Sequence, residues 1–167
     1  EFRGNTIETS NEYGIRFTGS ISQSGILTRD TMPYIAENIY QDASSVLTIE
    51  PGVIFKTGAG SYPQITFAGS VHANGTADEP IVFTAFSDDA AGGDTNNNAT
   101  STVPMPGAWY TLTFSSSSIA EFSHVRVRYG GGPRSSVPTT WTMLDAQSPT
   151  LLTFNNVEIS DSAANGF

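Results

Sequence analysis

A short apolar motif returns along this chain with its internal spacing unchanged, and that recurrence restricts the fold more than any other feature. Ile119-x-x-Phe122-x-x-Val125-x-Val127 comes back as Leu151-x-x-Phe154-x-x-Val157-x-Ile159. The opening residues carry the tail of the same motif: Phe2, Ile7, Ser10 and Gly14 align without a gap with Phe154, Ile159, Ser162 and Gly166. A chain that repeats in this way buries the apolar face of each unit only against its neighbours, which is the logic of a solenoid. The agreement of residues 2–15 with 154–167 further suggests a larger repeat enclosing one full copy, although any two coils of one solenoid look alike; a mature, processed or excised fragment is expected, since the N-terminus does not resemble a signal peptide.

No stretch sustains an apolar helical period. The nearest candidate, Met32 to Tyr40, is short, has Pro33 near its start and is rich in strand formers. Short strands are expected at Ile15–Phe17, Val46–Ile49, Val53–Phe55, Gln64–Phe67, Pro80–Thr84, Tyr110–Phe114, Phe122–Tyr129, Leu151–Phe154 and Val157–Ile159. Gly and Pro punctuate them at Pro51-Gly52, Gly58-Ala59-Gly60, Asn74-Gly75 and Gly130-Gly131-Gly132-Pro133. Antiparallel folds favour Asn-Gly or Asp-Gly turns between alternating strands, yet Asn74-Gly75 is the only such dipeptide before Asn165-Gly166. The spacing instead reads strand, corner, strand, as in Leu47-x-Ile49 followed by Val53-x-Phe55, and Ile65-x-Phe67 followed by Val71-x-Ala73. Ile21 to Tyr40 fits a coil, a cap or a lateral strand.

These segments carry a resemblance. Leu47-Thr-Ile-Glu-Pro-Gly-Val-Ile-Phe-Lys56 leads to Gly69-Ser-Val-His-Ala-Asn-Gly-Thr-Ala-Asp-Glu-Pro-Ile-Val-Phe-Thr84. Asp88-Asp-Ala-Ala-Gly-Gly-Asp-Thr-Asn96, a Pro-Gly-x-Trp stretch ending at Trp109, and Val127-Arg-Tyr-Gly-Gly131 follow. The succession resembles the right-handed parallel β-helix repeats of secreted and surface-anchored bacterial proteins, and does so over nearly the whole chain. The resemblance implies an all-β, right-handed parallel β-helix (β-solenoid) of short coils with two inserted loops. One solenoid segment would span residues 1–167: a preceding coil and connection at 1–45, then main coils at 46–167, with loops near 87–106 and 130–142. It implies little about function, since such solenoids carry adhesins, stalks and polysaccharide-cleaving enzymes alike.

Composition narrows the partners. The formal charge is −9, and Lys56 is the only lysine, so no basic stripe exists for nucleic acid or an anionic membrane. No apolar run reaches the length of a membrane span, and the N-terminus does not resemble a signal peptide. The chain has no cysteine, which excludes thiol catalysis, cysteine metal sites and disulfides. Scarce lysine and abundant Ser, Thr, Asn and Gly favour an extracellular or cell-surface setting over the cytosol.

Two loops are candidates for function. Ser87 to Pro106 is polar and poor in strand formers, and Asp94-x-Asn96-x-Asn98 sets oxygen-bearing side chains at alternate positions. A calcium ion needs such spacing because it takes six to eight oxygens from a curled backbone, and Asp88 and Asp89 offer further carboxylate. Asn98-Ala99 departs from the Asp and following Gly common in the family, which lowers the expected affinity. A solvated turn held by Asx hydrogen bonds fits the same residues. The sequons Asn74-Gly-Thr76 and Asn98-Ala-Thr100 read as turns. The second loop, Gly130 to Thr142, holds Arg134 and Trp141, which suit either stacking on a sugar ring or cover of the solenoid wall.

No cofactor is required by any motif, calcium being the one ion suggested. Catalysis is not expected. Glu50, Asp78, Glu79, Glu121, Asp145 and Glu158 fall on different coils, and nothing singles out Glu121 with Asp145 as a working pair. Arg126 and Arg128 alternate with Val125 and Val127 and belong to an outer ladder. His72 and His124 are isolated, His124 at a turn or wall, and Ser115 to Ser118 reads as a coil corner. The function expected is a structural or adhesive segment that stacks on neighbouring solenoid segments or end-to-end on copies of itself. The alternative is a carbohydrate-binding or polysaccharide-cleaving module that contacts cell-surface glycans through the two loops.

Overall fold

In a computed structural model of the protein, the described residues are 4–6, 11–57, 63–133 and 142–167. They contain strands and turns and no helix. Twelve strands form one hydrogen-bonded sheet: β1 (Ile15–Ile21), β2 (Gly25–Leu27), β3 (Tyr34–Gln41), β4 (Val46–Ile49), β5 (Ile54–Thr57), β6 (Ile65–Phe67), β7 (Ser70–Asn74), β8 (Ile81–Ala85), β9 (Leu112–Phe114), β10 (Ile119–Arg128), β11 (Leu144–Ala146) and β12 (Leu151–Ser160). Every pairing among them is parallel. The sequence therefore places its all-β class and its parallel pairing correctly.

The pairings sort into three ladders. The first stacks Ile15, Tyr34, Phe55, Phe83, Val127 and Ile159 in register. The second stacks Ile21, Gln41, Phe67, Phe114 and Ala146. The third stacks Leu27, Ile49, Ala73, Phe122 and Phe154. Along the chain these ladders are met in the same order on each circuit. The long strands β1, β3, β10 and β12 each turn a corner and serve two ladders.

Corners need a residue whose backbone can reverse its curl. Gly19 (φ 94) and Asn38 (φ 49) supply it between the first and second ladders, and the register of β1 against β3 shifts there. Glycine and asparagine enter the left-handed region at least cost. Asn156 (φ 54) does the same between the third and first ladders, where His124 (φ 49) occupies the equivalent place on β10. His124 thus stands at a corner, one of the two positions its neighbours suggest.

One interior serves all three ladders. Val71, Ala73, Ile81, Phe83, Leu112, Phe114, Ala120, Val125 and Val127 have no exposed surface. Phe83 lies between Phe55 (centroids 4.7 Å apart, planes 5° apart) and Phe122 (6.2 Å, 6°). Phe122 passes the contact on to Phe154 at 5.8 Å. Apolar side chains at alternate positions meet inside because neighbouring residues of a strand point to opposite faces.

The segment Ile21 to Tyr40 joins this scheme as strand, with β2 on the third ladder and β3 on the first and second. Of Met32 to Tyr40, the nearest helical candidate, residues 34–40 lie in β3, where parallel partners on both sides override any local preference. At the ends of the sheet, β1 pairs only with β3, β2 only with β4 and β12 only with β10 among the described residues. Ile15, Phe17, Ile21 and Leu27 at one end, and Leu152, Phe154, Val157 and Ile159 at the other, are only partly buried.

Candidate functional site

The chain leaves the first ladder at Ala85 and returns to the second at Leu112, and the intervening loop lies against the outer face of the first ladder. That face presents Ile35, Lys56 and Thr84 in register, all almost fully buried. Strand β8 is accordingly buried on both faces over its whole length.

Named anchors hold the loop down. Asp88 is 1% exposed: its carboxylate accepts the Thr84 hydroxyl (2.5 Å) and the Ala90 N–H (3.2 Å) and pairs with Arg128 (2.8 Å). A buried carboxylate persists only when its lone pairs are met in this way. Lys56 Nζ donates to the Gly93 carbonyl at 2.5 Å. Thr95 accepts the Tyr13 N–H at 2.8 Å through its carbonyl. Burial pulls the Lys56 ammonium below the usual lysine range, against the opposing fields of Asp89, Asp88 and Asp94. The chain's only lysine thus serves as an internal cation.

Beyond these anchors the loop curls on itself. Asp94 accepts the N–H groups of Asn98 (3.1 Å) and Ala99 (2.7 Å), with Asn97 (φ 49) and Ala99 (φ 55) in the left-handed region. Asn96 and Asn98 both donate their amide groups to the Thr102 hydroxyl, at 3.1 and 2.8 Å. Asp94 thus holds backbone N–H groups four and five residues on, while the two-residue spacing of an Asx turn is made by Asp88 with the Ala90 N–H. Of the suggested ligands, Asp88 is engaged by Arg128 and Thr84, and Asp94 by backbone. Asp89, Asn96 and Asn98 each keep one buried oxygen without a donor among the described residues. No three His, Cys, Asp or Glu side chains gather as a metal site among those residues. An ion held here would depend on amide and backbone oxygens as well as carboxylate.

An open cavity of about 530 Å³ lies beside the loop, lined in part by Thr57, Phe86, Asn96, Val103, Met105 and Pro106. Its wall is mainly apolar, and Val103 and Met105 are 70% and 64% exposed. The loop then re-enters through Gly107, Ala108 and Trp109. Gly107 and Ala108 donate to the carbonyls of Gly130 and Tyr129, and the Trp109 indole, 1% exposed, donates to the Arg128 carbonyl at 2.9 Å. Arg134 and Trp141, the suggested sugar contacts, lie outside the described residues.

The outward acids are tied to separate partners. Glu121 meets His72 Nδ1 at 2.7 Å, Glu158 meets Arg126 at 3.3 Å, Glu79 meets Arg29, and Asp145 accepts from Gln147 at 2.9 Å. The Arg126–Glu158 contact is the outer ladder that the alternation of Arg with Val implies. Arg128 instead turns to Asp88 in the loop. Sequence reasoning missed Lys56 as a site residue; its isolation as the only lysine beside a strand was the available signal. It also missed Thr102, which gathers the two asparagines. No family model, curated protein or solved structure matches the chain.

Proposed function

We propose that the chain is a segment of an extracellular or cell-surface right-handed parallel β-helix, with a structural or adhesive role, and that it stacks end-on with other segments or with copies of itself. The observation that carries this reading is the unchanging order of the three parallel ladders, combined with β1 and β2 at one end and β12 at the other that pair on one side only among the described residues. A sheet whose every strand pairs one circuit onward extends without limit in one direction, and each added circuit buries the apolar face of the last. Open parallel edges over half-buried Phe154, Val157 and Ile159 at one end, and over Ile15, Phe17 and Leu27 at the other, are templates for pairing. The likeness of residues 2–15 to 154–167 favours a join in which the first circuit of one copy follows the last circuit of another.

Light scattering across a concentration series tests this directly. Stepwise growth in mass is expected, together with fibre diffraction showing the strand spacing of about 4.8 Å along the growth axis. Leu152→Lys, which puts a charge on the open rung, should stop the growth while leaving the circular dichroism intact. A strict monomer at all concentrations would refute end-on stacking.

A further inference from the structure

One inward column of the second ladder differs sharply between its two ends. A single series of backbone bonds runs along it: the Ile39 N–H donates to the Gln64 carbonyl, Ile65 to Thr111, Leu112 to Met143 and Leu144 to Gly166. In the first three, the residue after the acceptor is the register partner of the donor, so the fourth sets Phe167 beside Leu144. The bridge between Thr142 and Asn165 keeps the same offset. With Gly19 opposite Ile39, the column reads Gly19, Ile39, Ile65, Leu112, Leu144, Phe167. Its four middle members are at most 3% exposed, whereas Phe167 is 63% exposed. The Phe167 ring stands 5.9 Å from that of Phe154, which faces the common interior. At the opposite end the column has no side chain: Gly19 has φ 94, and a Cβ built on it would meet no atom within 4 Å. Phe17 and Ile21, two residues to either side, are partly buried against the core and border this gap.

We propose that Phe167 of one copy seats on the first circuit of a second copy, over Gly19 and between Phe17 and Ile21, and that this contact fixes the register of end-on stacking. The inference rests on the stacking reading above and names the contact that makes it. A copy placed one circuit onward continues the first ladder from Ile159 to Ile15 and the second from Phe167 to Gly19. The two joins agree, because each end presents the first ladder and then the second in the same order. The third ladder is then one rung short between Phe154 of one copy and Leu27 of the next, and the Phe167 ring beside Phe154 borders that space. A large side chain opposed to a bare backbone is how facing layers interdigitate without a void. Sliding the join by one residue would bring Phe167 to Thr18 or Ser20 and set inward positions against outward ones. Only a chain with the same three-ladder cross-section continues both joins at once, so the occupant is a second copy.

Sedimentation velocity across a concentration series, paired with oxidative cross-linking, tests the contact. Phe167→Ala should weaken association about 10- to 100-fold, because the ring no longer leaves water on stacking. Val103→Ser removes a similarly exposed apolar side chain from the loop and should leave association unchanged. The chain has no cysteine, so Arg16→Cys combined with Ser160→Cys reads the register without background. Arg16 follows Ile15 and Ser160 follows Ile159, which puts the two thiols on adjacent rungs across the join, within disulfide reach. Oxidation should give a series of disulfide-linked oligomers on a denaturing gel. Glu158→Cys in place of Ser160→Cys, two residues out of register, should give almost none. Undiminished association of Phe167→Ala would overturn this contact while leaving end-on stacking in place. So would failure of the in-register pair to link, or equal linking of the out-of-register pair. A wild-type chain that stays monomeric would overturn the contact and the stacking together.

Discussion

Truncating one stacked phenylalanine in mid-sheet and one at its open end separates the energetics of the ladders from ordinary core packing. Phe83 has no exposed surface and is stacked between Phe55 and Phe122, so Phe83→Ala removes a full ring from the centre of the interior. Core Phe→Ala substitutions cost about 3–5 kcal/mol. The upper half of that range is expected here, because each lost aromatic pair contributes about 0.5–1.5 kcal/mol beyond its area. Phe154 sits on the last circuit, partly buried, with neighbours on one side in Phe114 and Phe122 and with Phe167 at 5.9 Å on the other. Phe154→Ala should therefore cost roughly half as much, about 2 kcal/mol. For a chain of this size those losses correspond to about 8–20 °C and about 4–8 °C in melting temperature. Urea titrations followed by Trp109 fluorescence and by circular dichroism measure both, since Trp109 is buried in the wall. Equal costs at low concentration would refute the argument, for they would mean that the terminal circuit is as well covered as the centre. A cost for Phe154→Ala that grows with protein concentration is the added signature of end-on stacking.

Two further substitutions test the corner and the loop. An added Cβ at Gly69 would stand 2.3 Å from the Ser45 carbonyl oxygen and 2.5 Å from that of Asp42, so Gly69→Ala should cost about 1–3 kcal/mol in urea unfolding, and a neutral result would contradict the close approach of these corners. Lys56→Met keeps the length of the side chain but removes the donor to Gly93, and should cost about 1.5–3 kcal/mol at neutral pH. The alkaline limb has a definite sign. Burial lowers the folded-state pKa of Lys56 below its unfolded value, so the unfolded chain holds the extra proton between the two. Wild-type stability should gain from this group as pH climbs through the folded pKa toward about 10.4, and lose that gain as pH falls back. Urea midpoints for wild type and Lys56→Met should move further apart across this window as pH rises, and parallel profiles would remove Lys56 from the account.

What was legible in the sequence follows from which faces of a strand are covered. Val46–Ile49, Val71–Ala73 and Val125–Val127 show a period of two because their inward residues are buried and their outward ones meet solvent or a charged partner. Tyr34-Ile35-Ala36 shows no such period. Tyr34 and Ala36 enter the common interior while Ile35 lies in register with Lys56 on the outer face, so all three are buried and the alternation vanishes. The same cover makes Ile81–Ala85 a continuous run. The partners of Lys56 were illegible for a related reason. A lysine beside a strand ordinarily faces water, and nothing near it in the chain announces that Asp88, Asp89, Gly93 and Asp94 will close over it from a later circuit. The oxygen spacing of Asp94, Asn96 and Asn98 was visible, but its partner Thr102 and the withdrawal of Asp88 by Arg128 were not, because both depend on where the loop is laid. Repetition therefore writes the scaffold into the sequence several times over, each circuit restating the last. The loop is written once, and its chemistry arises from contacts with circuits that precede and follow it. The consequence is specific: substitutions at the ladder positions should report on length and stacking, whereas those at Lys56, Asp89 and Asn98 should alter the loop while leaving the sheet in place.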